Sequence, residues 1–173
     1  MQFELRQATE MLAGTPGVLD ALLRGKSAAW LNARKAPDAF SPVDVLGHLI
    51  HAENTDWIPR VRMILSYGDS RTFEPFDRFG FHELTANKDV GELLDLFAAA
   101  RRECLQALSD LAVGDAELGL HGAHPELGRA AMRELLAAWV VHDLGHIAQI
   151  VKTMAGEYRE AVGPWKPYLS ILE

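Results

Sequence analysis

Seven histidines are spread along the chain. Two of them stand four residues apart in the stretch Trp139-Val140-Val141-His142-Asp143-Leu144-Gly145-His146-Ile147-Ala148-Gln149. On a helix that spacing stacks His142 and His146 on one face, one turn above the other. Two imidazoles so placed can hold a metal ion between them, and zinc, nickel and similar ions favour imidazole. The bland alternative is a pair of half-buried, hydrogen-bonded histidines. Leu136, Val140, Leu144, Ile147, Val151 and Met154 recur at helical intervals and predict the buried stripe of an amphipathic helix. The histidine pair falls beside that stripe, on the face of Leu135, Trp139 and Ile150. It therefore points toward a bundle interior or its mouth.

A catalytic metal site usually has three protein ligands and an open position, so a third ligand has to come from another helix. His48 is the first candidate, because it lies early on a strongly signalled helix between Val45 and Ala52. His51, three residues later and turned about 60° around that helix, is the second. His82, His121 and His124 fall in predicted connections and read as structural or exposed. His142-Asp143-Leu144-Gly145-His146 differs from the HExxH protease signature by one residue. Asp143 is one methylene shorter than the glutamate base, which impairs its reach to a metal-bound water and argues against a protease.

The elements that must position these residues read as helices. Gln2 to about Leu12 and Thr15-Pro16 to Gly25 form a first helix, with a break expected at Gly14–Pro16. Lys26 to Phe40 carries turn chemistry, with Trp30 and Leu31 docked on the core. Ser41-Pro42-Val43-Asp44 starts a second helix that runs to Tyr67, kinked near Pro59. Ser66 to Lys88 is a long irregular connection, held down by Phe73, Phe76, Phe79 and Phe81, and reads either as a lid over a site or as a wrapped connection. A third helix spans Asp89 to Leu111, with Val90, Leu93, Leu94, Phe97, Cys104, Leu105, Leu108 and Leu111 buried. Cys104 on that stripe reads as a small buried hydrophobe. Ala112 to Gly128 is a second connection, and the last helix runs from about Arg129 to Gly156, followed by a short tail. No strand pattern is visible. The expected fold is all-α: a single domain over residues 1–173, a four-helix bundle of the up-down-down-up type with long connections and a short C-terminal tail.

Composition narrows the function classes. The net charge of −7 with scattered basic residues disfavours nucleic acid as a partner. No apolar run approaches the roughly 20 residues needed to cross a bilayer, and no signal peptide is evident after Met1. One cysteine excludes an intrachain disulfide and fits a cytoplasmic location.

Several stretches together resemble the DinB-like metal-binding four-helix superfamily, which includes bacillithiol transferases and mycothiol-dependent relatives. They are Gly47-His48-Leu49 through Glu53, then His124-Pro125-Glu126-Leu127-Gly128, then Leu135 through Ile150, then Val162-Gly163-Pro164-Trp165 with Tyr168-Leu169. The resemblance spans almost the whole chain. It implies a three-histidine site of His48, His142 and His146 for a divalent metal, zinc or nickel. It also implies an enzyme that activates a thiol or water toward a small-molecule substrate, as a thiol S-transferase or hydrolase, with a low-molecular-weight thiol as a further cofactor. Glu53 and Asp56 are candidates for orienting an imidazole, with exposed helix charges as the equal alternative, and Gln149 is placed to line the pocket. The competing reading is a non-catalytic metal-binding protein, structural or homodimeric, in which a fourth ligand such as His51 closes the site.

Overall fold

The computed structural model describes residues 2–173. Five helices carry the frame: α1 (Leu5–Leu23), α2 (Pro42–Thr55), α3 (Trp57–Tyr67), α4 (Val90–Asp110) and α5 (Met132–Gly156). α2 and α3 follow end to end as one broken rod, so the architecture is a four-helix bundle. α1 packs on α4 and α5, and α2 packs on the same two, which sets α1 across a diagonal from α2 and α4 across a diagonal from α5, so the connections between those rods must cross the bundle. No helix is long and apolar enough to cross a membrane among the described residues.

The helix starts follow from side-chain chemistry. The Ser41 hydroxyl accepts from the Asp44 N–H at 3.2 Å while the Asp44 carboxylate accepts from the Ser41 N–H at 2.8 Å. Asp89 and Glu92 repeat that reciprocal cap at the start of α4, at 2.9 and 2.8 Å. Each box satisfies backbone donors that the first turn leaves free.

Four expectations change. α1 runs unbroken through Pro16, with no interruption at Gly14–Pro16. The proline withholds the N–H that Leu12 O would otherwise receive, and the Arg101 guanidinium supplies a donor instead, Nη1 lying 2.8 Å from that oxygen. The second helix does not merely kink at Pro59. It stops at Thr55 and restarts at Trp57, with Asp56 at φ −112°, ψ −65° between them. The Pro59 ring crowds the carbonyl four residues back, Thr55, so the break falls there and Pro59 occupies the first turn of α3, where a missing N–H costs nothing. The connection expected to be irregular holds an antiparallel hairpin, β1 (His121–His124) with β2 (Gly128–Ala131). Gly128 at φ +74° turns the chain, and α5 begins at Met132, later than expected, because β2 occupies the intervening residues. Fourth, the buried face of α5 is rotated from the predicted stripe. Leu144 is 45% exposed, while Trp139, Asp143 and Ile150 are buried.

The connection between α3 and α4 is packed down by Phe73 and Phe81, whereas Phe79 is exposed. Gly47 permits that docking: a Cβ there would lie 2.4 Å from Thr85 Cγ2 and 2.8 Å from the Phe81 ring.

The interior is divided into two apolar clusters with a polar layer between them. Leu12, Trp57, Cys104 and Trp139 belong to one cluster; Leu19, Ile50, Phe97 and Ile150 belong to the other. Between them on each rod sit Thr15, Glu53, Arg101 and Asp143, all buried. Arg101 Nε and Nη2 donate to Glu53 at 2.9 and 2.7 Å, and Nη1 and Nη2 donate to Asp143 at 2.7 and 3.2 Å. The Thr15 hydroxyl donates to Asp143 at 2.7 Å and the Trp139 indole to Glu53 at 3.0 Å.

Removing the cation alone strands two buried carboxylates. Arg101→Met should therefore lower unfolding free energy by about 3–5 kcal/mol in urea titration, and adding Glu53→Gln with Asp143→Asn should recover much of that loss. Cys104, buried with its S–H 3.2 Å from Glu53 O and its pKa pushed up to about 12 chiefly by burial, should be silent to a disulfide-exchange reagent at pH 8. It should react with one equivalent once the protein is denatured.

Candidate metal centre

α2 presents His48 and α5 presents His142 and His146 to a common point. His142 Nε2 lies 3.2 Å from His48 Nε2 and 3.1 Å from His146 Nε2. Among the described residues this is the one group of three or more histidine, cysteine or acidic side chains whose ligand atoms come within 4.8 Å of one another.

The opposite ring nitrogens show which protons are absent from that point. His146 Nδ1 sits 2.9 Å from Gln149 Oε1, and His48 Nδ1 sits 3.5 Å from the Arg78 carbonyl oxygen. Both oxygens accept, which assigns the proton of each neutral ring to Nδ1 and leaves a lone pair on each Nε2. His142 Nε2 can donate to one of them at most, and His142 Nδ1 is buried without a hydrogen-bond partner. Acceptors thus outnumber donors at the point of convergence, and a cation answers that imbalance. With metal–nitrogen bonds of about 2.1 Å, nitrogens at this separation subtend an angle of about 95–100°. Such an angle suits three imidazoles on one side of an ion, with further positions left over.

Burial above all, reinforced by neighbouring imidazoles, pushes His48 down to about 4 and His142 down to about 3. His146 is lowered too, again chiefly by burial. All three rings are therefore neutral at pH 7, the state that binds metal.

Aromatic side chains wall the cluster. Trp57 meets His142 edge-on at 5.2 Å between ring centroids and stacks on Trp139 at 5.6 Å. Phe76 stands perpendicular to His48 at 5.3 Å, so the connection between α3 and α4 lies against this ligand candidate.

The remaining sequence candidates separate. His51 is half-buried against Phe76 and stays outside the cluster, so it does not close the site. His82 is exposed, and His121 and His124 lie on β1. Glu53 and Asp56 fit neither reading: both are buried, and neither hydrogen-bonds a clustered imidazole. Glu53 grips Arg101 and Trp139, while Asp56 pairs with Arg60 at 2.7 Å. Gln149 contacts His146 directly. Asp143, weighed as a shortened protease base, is turned away into the Arg101 network. Arg101 itself escaped notice, although its place between Phe97 and Cys104 on an apolar stripe is a readable signal. The Arg78 carbonyl has no sequence signature at all.

Gln149→Ala removes the acceptor that sets the His146 ring. It should weaken zinc binding about 10- to 100-fold in competition titration against a chelating dye, with the far-UV circular dichroism unchanged.

Comparison with known proteins adds a family. In fold the chain is similar to YfiT from Bacillus subtilis, a probable metal-dependent hydrolase with an unusual four-helix bundle topology. That match has a TM-score of 0.71 and 18% identity, and covers 91% of this chain and 87% of that one. It is also similar to TT2238, a four-helix bundle protein, with a TM-score of 0.56 and 21% identity over 84% of this chain and 97% of the other. No curated protein matches in sequence. The structural likenesses show the bundle fold, whereas the family model matches residues 11–150, a span that includes all three clustered histidines. On that match the chain belongs to the DinB superfamily.

Proposed function

We propose that His48, His142 and His146 hold one divalent metal ion, zinc or nickel, and that the protein is a metal-dependent hydrolase of a small-molecule substrate. The observation that carries this reading is that His142 Nε2 meets the Nε2 atoms of His48 and His146 at 3.2 and 3.1 Å, the latter two assigned as bare acceptors by their Nδ1 partners. The description of YfiT as a probable metal-dependent hydrolase supports the same reaction class.

Bound there, an ion with neutral ligands keeps its double charge, polarises a carbonyl and makes a water, or a thiol in its place, nucleophilic at neutral pH. The chain's own residues do the rest. Gln149 and the Arg78 carbonyl hold two rings in the tautomer that offers Nε2 inward. Trp57 and Phe76 exclude water from the sides of His142 and His48, which lowers the local dielectric and strengthens charge interactions. No fourth histidine, cysteine or carboxylate joins the cluster among the described residues, an arrangement that favours a catalytic over a closed structural site.

The test begins with chelated protein titrated with zinc and with nickel. The wild type should take up one ion per chain and His142→Ala should take up none tightly. A panel of small esters and amides, run with and without added cysteine or glutathione, should show hydrolysis that follows metal content and is lost in His142→Ala. Uptake well below one ion per chain, or turnover unchanged in His142→Ala, would sink the proposal. A rate that requires the added thiol would move the assignment to thiol transfer.

A further inference from the structure

The outward faces of the rods are not alike. α4 turns Glu92, Asp95, Arg102, Glu103 and Asp110 to water. α1 and α5, which lie side by side, show almost no charge. Between Glu10 and Asp20 the exposed positions of α1 are Met11, Ala13, Gly14, Gly17 and Val18. Between Glu134 and Lys152 the exposed positions of α5 are Ala138, Val141, Leu144, Gly145 and Ala148. The large side chains among them leave between 45% (Leu144) and 67% (Val141) of their surface open. In a chain with 24% charged residues, such a run of uncharged outward positions suits a partner better than water.

These positions form one face. The Thr15 hydroxyl bonds Asp143 at 2.7 Å, and Met11 lies at the seam with Val140 and Leu144, so the two rods run in the same direction. A groove of about 600 Å³ opens along that seam, with Phe3 and Met11 on one side and Ala137, Val140 and Val141 on the other. A Cβ added at Gly14, Gly17 or Gly145 would meet nothing within 4 Å, so the backbone itself is open to close approach there. Uncharged over roughly 15 Å of α1 and roughly 24 Å of α5, at about 9 Å of width per rod, the face covers on the order of 350 Å². An apolar centre of that size inside a polar rim is what a standard interface of about 800 Å² per partner contains.

The same face, turned end for end, fits it. Reversed about a point between Leu144 and Gly145, α5 sets Leu144 against Gly145 and Val141 against Ala148, large against small each time. Reversed about the Gly14–Thr15 step, α1 sets Met11 against Val18. The Thr15–Asp143 bond holds those two points within about 3 Å of the same height. One two-fold axis, lying in the face and crossing both rods, therefore performs both reversals. A lipid surface fits less well, because the exposed positions include no lysine, arginine, tryptophan or tyrosine to anchor the rods at headgroups. We propose that the α1–α5 face binds a second copy of this chain, α1 against α1 and α5 against α5, each pair antiparallel. The pairing does not rest on the metal-dependent reading above.

The test is the mass of the full-length protein, 19.1 kDa per chain, by light scattering on a sizing column. At about 50 μM the wild type should have twice the chain mass. Leu144→Asp and Val141→Asp should each reduce it to the chain mass with the far-UV circular dichroism unchanged. Leu96→Asp, at an exposed leucine on α4, should leave the pair intact. Met11→Lys and Val18→Glu should each separate the copies and pair with one another when mixed, since the axis sets one beside the other. A monomeric wild type at that concentration, whether it stays free or sediments with phosphatidylcholine vesicles, overturns the proposal. So does a dimer that survives both aspartates, or a lysine–glutamate mixture that pairs no more tightly than either variant alone.

Discussion

Arg101 places a positive charge in the middle of the bundle, where an unpaired guanidinium is far from water. It stays protonated although burial opposes it, because Glu53 and Asp143 both bind it. Burial raises the pKa of Glu53, and Arg101 pulls it back. The spare oxygens are taken up by the Thr15 hydroxyl and the Trp139 indole, so the layer is hydrogen-bonded on every rod. Such a layer contributes little net stability compared with well-packed apolar residues. Its effect here is on geometry. Asp143 has to face the bundle axis, and this sets the rotation of α5. His142 and His146 are then carried to the same side of Asp143, each within about 100° of it around the helix. That side is the one on which α2 brings up His48.

The same rotation explains why the predicted stripe on α5 was displaced. Periodicity counts apolar residues and treats Asp143 as a surface charge, which moves the apparent buried face toward Leu144. In the structure a satisfied carboxylate occupies the centre and Leu144 turns outward. Much of the rest was readable. The caps at Ser41 and Asp89 announce their helices through local chemistry, and the Leu46, Ile50, Trp57, Val61, Ile64 stripe is buried throughout. Residues that depend on a partner distant in sequence were not. Pro16 looks like a helix breaker until Arg101, from another rod, donates to the carbonyl it leaves free. The hairpin of His, Gly, Ala and Arg residues has no strand-like pattern, because its pairing comes from the chain doubling back at Gly128.

The candidate centre was readable as residue types and spacing, but its tuning was not. A histidine pair four apart announces itself in any helix. The partner atoms that assign the tautomers are one side-chain amide and one backbone carbonyl from the connection between α3 and α4. A carbonyl carries no identity in sequence, so the role of Arg78 depends on where Phe76 and Phe81 anchor the chain on either side of it. The long connection therefore does more than join two neighbouring rods of the bundle. It completes the surroundings of His48.

The contacts of Arg101 join residues 42, 48 and 89 positions apart in the chain. Loops of that length close slowly, and none of them alone satisfies all the donors of the guanidinium. A half-assembled bundle with one rod missing therefore exposes a charged, hydrated core that gains little from collapsing further. Assembly should be all-or-none: partly docked intermediates are held above both the unfolded and the native states, and the protein has few stable resting places between them.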